Sequence, residues 1–67
     1  MGSLGNFKNR RVAVVGLGKS NQALTRYLHK EGAIVTCFDR KEAGSLGAAY
    51  EELSSLGVGW RLGDDYL

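Results

Sequence analysis

The chain has 67 residues, 43% of them apolar and 24% charged, which is typical of a globular protein and sufficient for one small domain or part of one. No apolar run is long enough to predict a membrane-spanning helix, so we expect no membrane partner. The net charge of +2 comes from interspersed basic and acidic residues, which argues against a nucleic-acid-binding face.

The first predicted element is a strand at residues 11 to 15, which is apolar from Val12 to Val15, as in a parallel strand buried on both faces. A glycine turn follows, in which Gly16 lets the chain leave the strand tightly and Gly18 lets a ligand approach the backbone. The free N–H groups at the start of the next helix, with the positive end of its dipole, would face an anion. This stretch therefore predicts a phosphate-binding loop that needs no catalytic side chain.

A helix is predicted from about residue 20 to 31. Ser20 or Asn21 is expected to cap its start, and Gly32 to follow its last turn. Its apolar residues recur at helical spacing, which predicts one buried face: Ala23, Leu24, Tyr27 and Leu28. A second buried strand is predicted at residues 33 to 38, and a polar cluster follows it: Asp39, Arg40, Lys41 and Glu42.

The second half of the chain predicts one more helix and one more strand. After a loop at residues 43 to 45, helical spacing predicts a helix from about residue 46 to 56, ending at Gly57. Gly47 lies inside this helix or in its first turn, and an interior glycine costs about 1 kcal/mol relative to alanine, so we expect the helix to start late or fray there. A third strand is predicted at residues 58 to 62, followed by a turn.

This alternation of strands and helices with short loops predicts an α/β fold, a Rossmann-like βαβαβ unit that is half of a doubly wound parallel sheet. The expected spatial order is third, second, first strand, so the first strand needs a partner on its far side that the sequence lacks. We therefore expect an incomplete fragment, the N-terminal part of a longer protein. Its unpaired first strand favours self-association.

The cysteine content and the N-terminal sequence help to predict the cellular compartment of the protein. The single cysteine, Cys37, allows no internal disulfide or multi-cysteine zinc site and is expected to be a small core residue. Residues 1 to 6 lack the apolar core of a signal peptide, so we expect a cytoplasmic protein.

The glycine pattern leaves the ligand open. A dinucleotide-binding fingerprint requires three glycines and an acidic residue about 20 positions on that binds a ribose hydroxyl. Asp39 meets the second requirement, but Asn21 stands where the third glycine is expected. An NAD(P)-binding domain of a dehydrogenase or a nucleotide-gated regulatory module therefore remains an alternative. So does an interaction domain without a ligand, in which the glycines only shape the turn and the charged strand end is merely exposed.

Three stretches, in this order along the chain, carry a resemblance to a known protein family: Val14-Val15-Gly16-Leu17-Gly18-Lys19-Ser20, then Lys30-Glu31-Gly32-Ala33, then Val35-Thr36-Cys37-Phe38-Asp39. In this combination the chain resembles the N-terminal domain of the Mur ligase family, from about Arg11 to the turn at Gly63-Asp64. It departs from the family at Asn21, where a glycine is usual.

The resemblance implies a cytoplasmic ATP-dependent ligase of peptidoglycan synthesis that joins D-glutamate to UDP-N-acetylmuramoyl-L-alanine. Residues 1 to 67 would be part of its N-terminal, Rossmann-like UDP-substrate-binding domain, without the central ATPase and C-terminal domains. ATP and Mg²⁺ would bind in those absent domains, and this part alone is not expected to be active. It has no G-x-x-x-x-G-K-[ST] motif.

The resemblance also implies two groups of substrate-binding residues and no catalytic or metal-binding residue in this chain. The diphosphate would lie on the glycine loop and the helix start: Gly18, Lys19, Ser20 and Asn21. The uracil would lie against the polar cluster after the second strand: Asp39, Arg40 and Lys41.

Overall fold

The computed structural model describes residues 7 to 67, and the expectation drawn from residues 1 to 6 lies outside this range. Strands and helices alternate in the order β1 (Arg11–Val15), α1 (Lys19–Lys30), β2 (Ile34–Asp39), α2 (Ala43–Leu46), α3 (Ala48–Ser54) and β3 (Gly59–Leu62). The three strands form one parallel sheet in the order β1-β2-β3. The predicted α/β fold with parallel strands is thus confirmed, with β1 at one edge of the sheet.

The strand register brings the glycine turn beside the end of β2. Val15 lies opposite Phe38 in the pairing of β1 with β2, and the N–H of Gly16 then donates to the carbonyl of Phe38 at 2.7 Å. On the other side of β2, Asp39 lies opposite Leu62. Because all three strands are parallel, their carboxyl ends share one edge of the sheet, which is where ligands of open α/β sheets bind.

The helices cover only one face of the sheet. Arg26 of α1 and Glu52 of α3 form an exposed ion pair at 3.2 Å, so these two helices lie side by side. Strand residues facing the helices are buried, whereas Val15 and Ile34 on the opposite face are 53% and 56% exposed. The expectation that the strands are buried on both faces is therefore wrong for the described residues, and the second layer of a doubly wound sheet is not among them.

The core lies between the helices and the covered face of the sheet. It consists of Val14, Leu17, Leu28, Ala33, Val35, Cys37, Leu53 and Val58. The predicted core position of Cys37 is confirmed, and burial raises the pKa of its thiol although a hydrogen bond with Thr25 opposes the shift. None of the helices in the described part of the chain is both long enough and apolar enough to span a membrane.

The predicted buried face of α1 is partly wrong. Leu28 is buried and Tyr27 half-buried, but Ala23 is exposed and Leu24 is 43% exposed. Thr25 is fully buried instead, because its hydroxyl donates to the carbonyl one turn earlier in the helix at 2.7 Å and so leaves no unpaired polar atom. A polar side chain that bonds to its own helix can face the sheet at little cost.

The end of α1 agrees with the prediction, whereas the next helix agrees only in part. Gly32 follows α1 with φ +90°, and the N–H of Ala33 donates to the carbonyl of Leu28 at 3.0 Å, which closes the helix. The helix predicted at residues 46 to 56 starts late, as expected from Gly47: α3 begins at Ala48, and the separate short helix α2 precedes it. Gly47 interrupts them with φ +60° and ψ −133°, and residues 43 to 45, predicted as a loop, belong to α2.

Candidate functional site

The turn between β1 and α1 has the backbone that its glycines predict. Gly16 has φ +87°, in the region that favours glycine, so the chain leaves the strand in a tight turn. Gly18 is extended, with φ −67° and ψ 173°, and is the N-cap of α1. The helix begins at Lys19, so the predicted capping by Ser20 or Asn21 is wrong.

The start of α1 carries backbone N–H groups without helical acceptors. The first intrahelical bond of the N-terminal turn is donated by the N–H of Gln22 to the carbonyl of Gly18 at 2.9 Å, which leaves the N–H groups of Lys19, Ser20 and Asn21. No side-chain hydrogen bond caps this end in the described part of the chain, and the first turn contains no acidic residue. The positive end of the helix dipole is therefore open to an anion.

Gly18 lies on an open surface. A Cβ atom added there would meet no atom within 4 Å. Lys19 and Ser20, which follow it, are exposed and add a positive charge and a hydroxyl to the same surface. A ligand can therefore reach the backbone at the start of α1 without displacing any described part of the protein.

The side chain of Asn21 folds back over the glycine turn. Its Nδ2 donates to the carbonyl of Gly16 at 2.8 Å and to the carbonyl of Val15 at 3.1 Å. The position that holds the third glycine in a dinucleotide-binding fingerprint is thus filled by a carboxamide bonded to the end of β1.

Two side chains, those of Asp39 and Gln22, form hydrogen bonds with the peptide groups on either side of Leu17. Its N–H donates to Oδ2 of Asp39 at 2.7 Å, and its carbonyl accepts from Nε2 of Gln22 at 2.8 Å. Gln22 is not among the site residues that the sequence predicts. The available signal was an amide side chain in the first turn of a helix directly after a glycine loop, within reach of that loop's carbonyls.

Asp39 joins the two groups of predicted site residues. Its Oδ1 accepts the N–H of Lys41 at 2.9 Å, while Oδ2 accepts that of Leu17. The hydrogen bond from Lys41 is the main reason that the pKa of Asp39 lies below its ordinary value of 3.8; partial burial opposes the shift and the bond from Leu17 adds to it. A carboxylate has about four acceptor positions, so ionised Asp39 keeps capacity for a further donor.

The structure therefore brings the predicted residues to one edge of the sheet. Residues 18 to 21 start α1, and residues 39 to 41 end β2 and begin the next loop. The Leu17–Asp39 hydrogen bond connects them directly. Arg40 and Lys41, which follow Asp39 in the chain, are exposed, and the N–H of Lys41 donates to the same carboxylate that accepts from Leu17.

Comparison with known proteins finds relatives that share one name, although no family model matches. No protein-family model matches the chain. It is 48% identical over 60 residues to the UDP-N-acetylmuramoylalanine--D-glutamate ligase of Clostridium botulinum strain Hall, and 48% identical over 60 residues to the ligase of the same name from Ruminiclostridium cellulolyticum. Each match covers 90% of this chain, which spans only 13% of the length of either relative. This similarity identifies the chain as a homologue of the N-terminal part of the UDP-N-acetylmuramoylalanine--D-glutamate ligases.

Proposed function

We propose that this chain is the UDP-substrate-binding, N-terminal part of a longer cytoplasmic ligase that joins D-glutamate to UDP-N-acetylmuramoyl-L-alanine in peptidoglycan synthesis. The observation that carries the proposal is the uncapped start of α1 beside an open glycine turn. Such a helix end favours a diphosphate, because several backbone donors and the helix dipole act on the same negative charge. The names of the two relatives support UDP as the nucleotide.

Each predicted residue has a role in this proposal. The diphosphate lies on the backbone of Gly18 and of residues 19 to 21, the hydroxyl of Ser20 donates one more bond, and the ammonium of Lys19 adds charge. At the end of β2, Asp39 accepts from the uracil or the ribose, while the planar guanidinium of Arg40 stacks on the base beside Lys41.

In this proposal, ATP and Mg²⁺ bind to other domains of the longer protein and not to this chain. The chain lacks the G-x-x-x-x-G-K-[ST] motif that cradles ATP phosphates, so we place both in central and C-terminal domains, as the resemblance to the Mur ligases implies. This chain then binds and orients the UDP end of the substrate and takes no part in the phosphoryl or acyl transfer. Its residues have no catalytic role.

The alternative, a nicotinamide-dinucleotide site, is less well supported. In a dinucleotide-binding fingerprint the third glycine allows close contact of helix and strand, and the acidic residue at the end of the second strand binds the ribose. Here Asn21 fills the third position, and its carboxamide donates to the carbonyls of Val15 and Gly16 where the fingerprint has a glycine without a side chain. NADH is therefore the competing ligand in the test.

The test is calorimetric titration of the full-length protein with UDP, UDP-N-acetylmuramoyl-L-alanine and NADH, for wild type and Gly18→Val. The open surroundings and extended backbone of Gly18 accept a larger side chain, so this variant should fold normally. The added methyl groups would occupy the space of the diphosphate, and we expect UDP binding to weaken on the order of tenfold or more, about 1.4 kcal/mol.

The matched control is Gly44→Val in α2, where an added Cβ also meets no atom of the described residues within 4 Å and which is not among the residues assigned to UDP. It should leave UDP affinity unchanged, and neither variant should alter ATP affinity. Tight binding of NADH without any response to UDP, or UDP affinity unaffected by Gly18→Val, would overturn the proposal.

A further inference from the structure

Side chains fix the glycine turn before any ligand binds. Three consecutive carbonyls accept side-chain amide donors: those of Val15 and Gly16 from Asn21, and that of Leu17 from Gln22. The N–H of Leu17 is held by Asp39, and the N–H of Gly16 by the sheet. Four of these five bonds come from side chains on α1 or at the end of β2, which attach the turn to both elements.

This arrangement determines which backbone groups a ligand meets. A carbonyl that accepts from Asn21 or Gln22 has its partial negative charge partly compensated by that amide, so it repels an anion at the helix start less than a free carbonyl would. The N–H groups of residues 19 to 21 have no such partner within the helix. The site therefore presents donors beside acceptors whose charge is partly compensated.

The fixed turn also lowers the cost of binding. Ordering a flexible loop on association reduces affinity, whereas donors that are already in place bind without that loss. Glycine adds to the flexibility of this turn because it restricts the backbone least. Rigidity at Gly16 and Gly18 therefore has to come from outside the turn, and the two amide side chains provide it.

We propose that Asn21 and Gln22 are positioning residues for the diphosphate of the UDP substrate, an inference that rests on the proposed function. Asn21 replaces the close packing of a third glycine by two hydrogen bonds to the end of β1. Gln22 fixes the peptide that follows Leu17. Both act through the backbone of the turn: no contact of their side chains with the ligand is needed.

The test compares Asn21→Ala and Gln22→Met with wild type in the full-length protein. Both variants remove an amide donor without adding charge, so electrostatic repulsion of the diphosphate does not enter. From the usual contribution of single hydrogen bonds, we expect each variant to bind UDP about threefold to tenfold more weakly. Amide hydrogen exchange at Leu17 should become faster in the free protein and slow again at saturating UDP, because a loosened turn is ordered by the ligand.

The control is Ser54→Ala, which removes the hydrogen bond that the Ser54 hydroxyl accepts from Nε1 of Trp60 at 3.0 Å, at the end of α3 that leads into β3 and lies opposite the carboxyl edge of the sheet. It should lower the thermal midpoint without changing UDP affinity or exchange at Leu17, and so it separates positioning from general destabilisation. If wild type binds UDP and both amide variants bind UDP with the same affinity as wild type, this inference is overturned and the proposed function stands. Equal weakening by Ser54→Ala would also overturn it, and failure of wild type to bind UDP would overturn the proposed function.

Discussion

At the scale of single residues, Asp39 has a structural role that its position in the sequence does not reveal. The carboxylate accepts backbone N–H groups from two loops, the glycine turn and the start of the loop after β2. It thereby fixes the relative position of the two groups of proposed ligand-binding residues. Any contact with a uracil or ribose would be made by an oxygen that already supports the fold.

This role predicts a specific pH dependence of stability. Because the pKa of Asp39 in the folded protein lies below 3.8, its contacts stabilise the fold above pH 3.8, and this contribution is lost as the pH falls through the lower folded-state pKa. Asp39→Asn keeps an acceptor oxygen but does not titrate. We expect the free energy of unfolding of this variant to fall less steeply than that of wild type below about pH 4.

Denaturant unfolding followed at a series of pH values measures this difference. The matched control is Asp64→Asn, which removes the same charge from the turn after β3 and leaves the contacts of the glycine turn intact. Equal pH dependence in wild type and Asp39→Asn would contradict the role assigned to this carboxylate.

What the sequence could predict at this scale was the place of a residue, not its partners. The position of Asp39 at the end of β2 follows from hydrophobic patterning. Its bond to Leu17 depends on the path of a turn 22 residues away along the chain. Asn21 was predicted as a cap because its residue type favours caps, but the helix begins two residues before it and the amide turns back to the strand.

At the scale of elements, the break between α2 and α3 reverses the expected effect of a substitution. Helix propensity predicts that replacing an interior glycine by alanine stabilises a helix by about 1 kcal/mol. Gly47, however, has φ +60° and ψ −133°, where a Cβ atom is strained although nothing lies within 4 Å of it. Backbone conformation therefore decides the outcome, and the available space does not.

We predict that Gly47→Ala lowers the free energy of unfolding by about 1 to 3 kcal/mol. Gly44→Ala is the matched control: it also adds a Cβ atom that meets nothing within 4 Å, but it lies inside α2 without a positive φ. Alanine there should stabilise the protein by up to about 1 kcal/mol. Thermal and denaturant unfolding of the two variants measures both values, and stabilisation by Gly47→Ala would show that α2 and α3 join into one helix.

The boundaries of the strands are predicted more accurately than those of the second helix. All three strands lie within one residue of the predicted bounds, because their apolar runs end at glycine or charged residues. Gly47 indicated a late or frayed helix start, but the helical spacing across residues 46 to 56 did not reveal the separate helix α2, since apolar residues on both sides of Gly47 continue the pattern. Local periodicity records which side chains face the core and not whether the backbone between them is continuous.

At the scale of the whole molecule, the sheet has one covered and one bare face. A shallow cavity of about 420 Å³ on the bare face is lined by apolar and polar residues of β1 and β2: Arg11, Val12, Ala13, Ile34, Thr36 and Phe38. β1 pairs only with β2 among the described strands, so the other edge of β1 presents backbone donors and acceptors. In the proposed longer protein, further segments would cover both surfaces and complete a doubly wound sheet.

The last prediction is that the 67-residue chain by itself associates into dimers or larger assemblies, because the bare face and the open edge of β1 are adjacent and both gain from pairing. Ile34 lies on the bare face with 56% of its surface exposed, and Ile34→Lys places a charge there. Sedimentation equilibrium at micromolar concentration should show assemblies for wild type and a shift towards monomer for this variant.

Leu24→Lys is the control for this prediction, because it exchanges another exposed aliphatic residue for lysine on α1, remote from the bare face. If association depends on the sheet, this variant should assemble as wild type does. If it depends on apolar exposure in general, the two lysine variants should dissociate equally. A wild-type monomer that unfolds cooperatively at high temperature would contradict the prediction, since it would mean that one covered face and an open edge suffice for a stable fold.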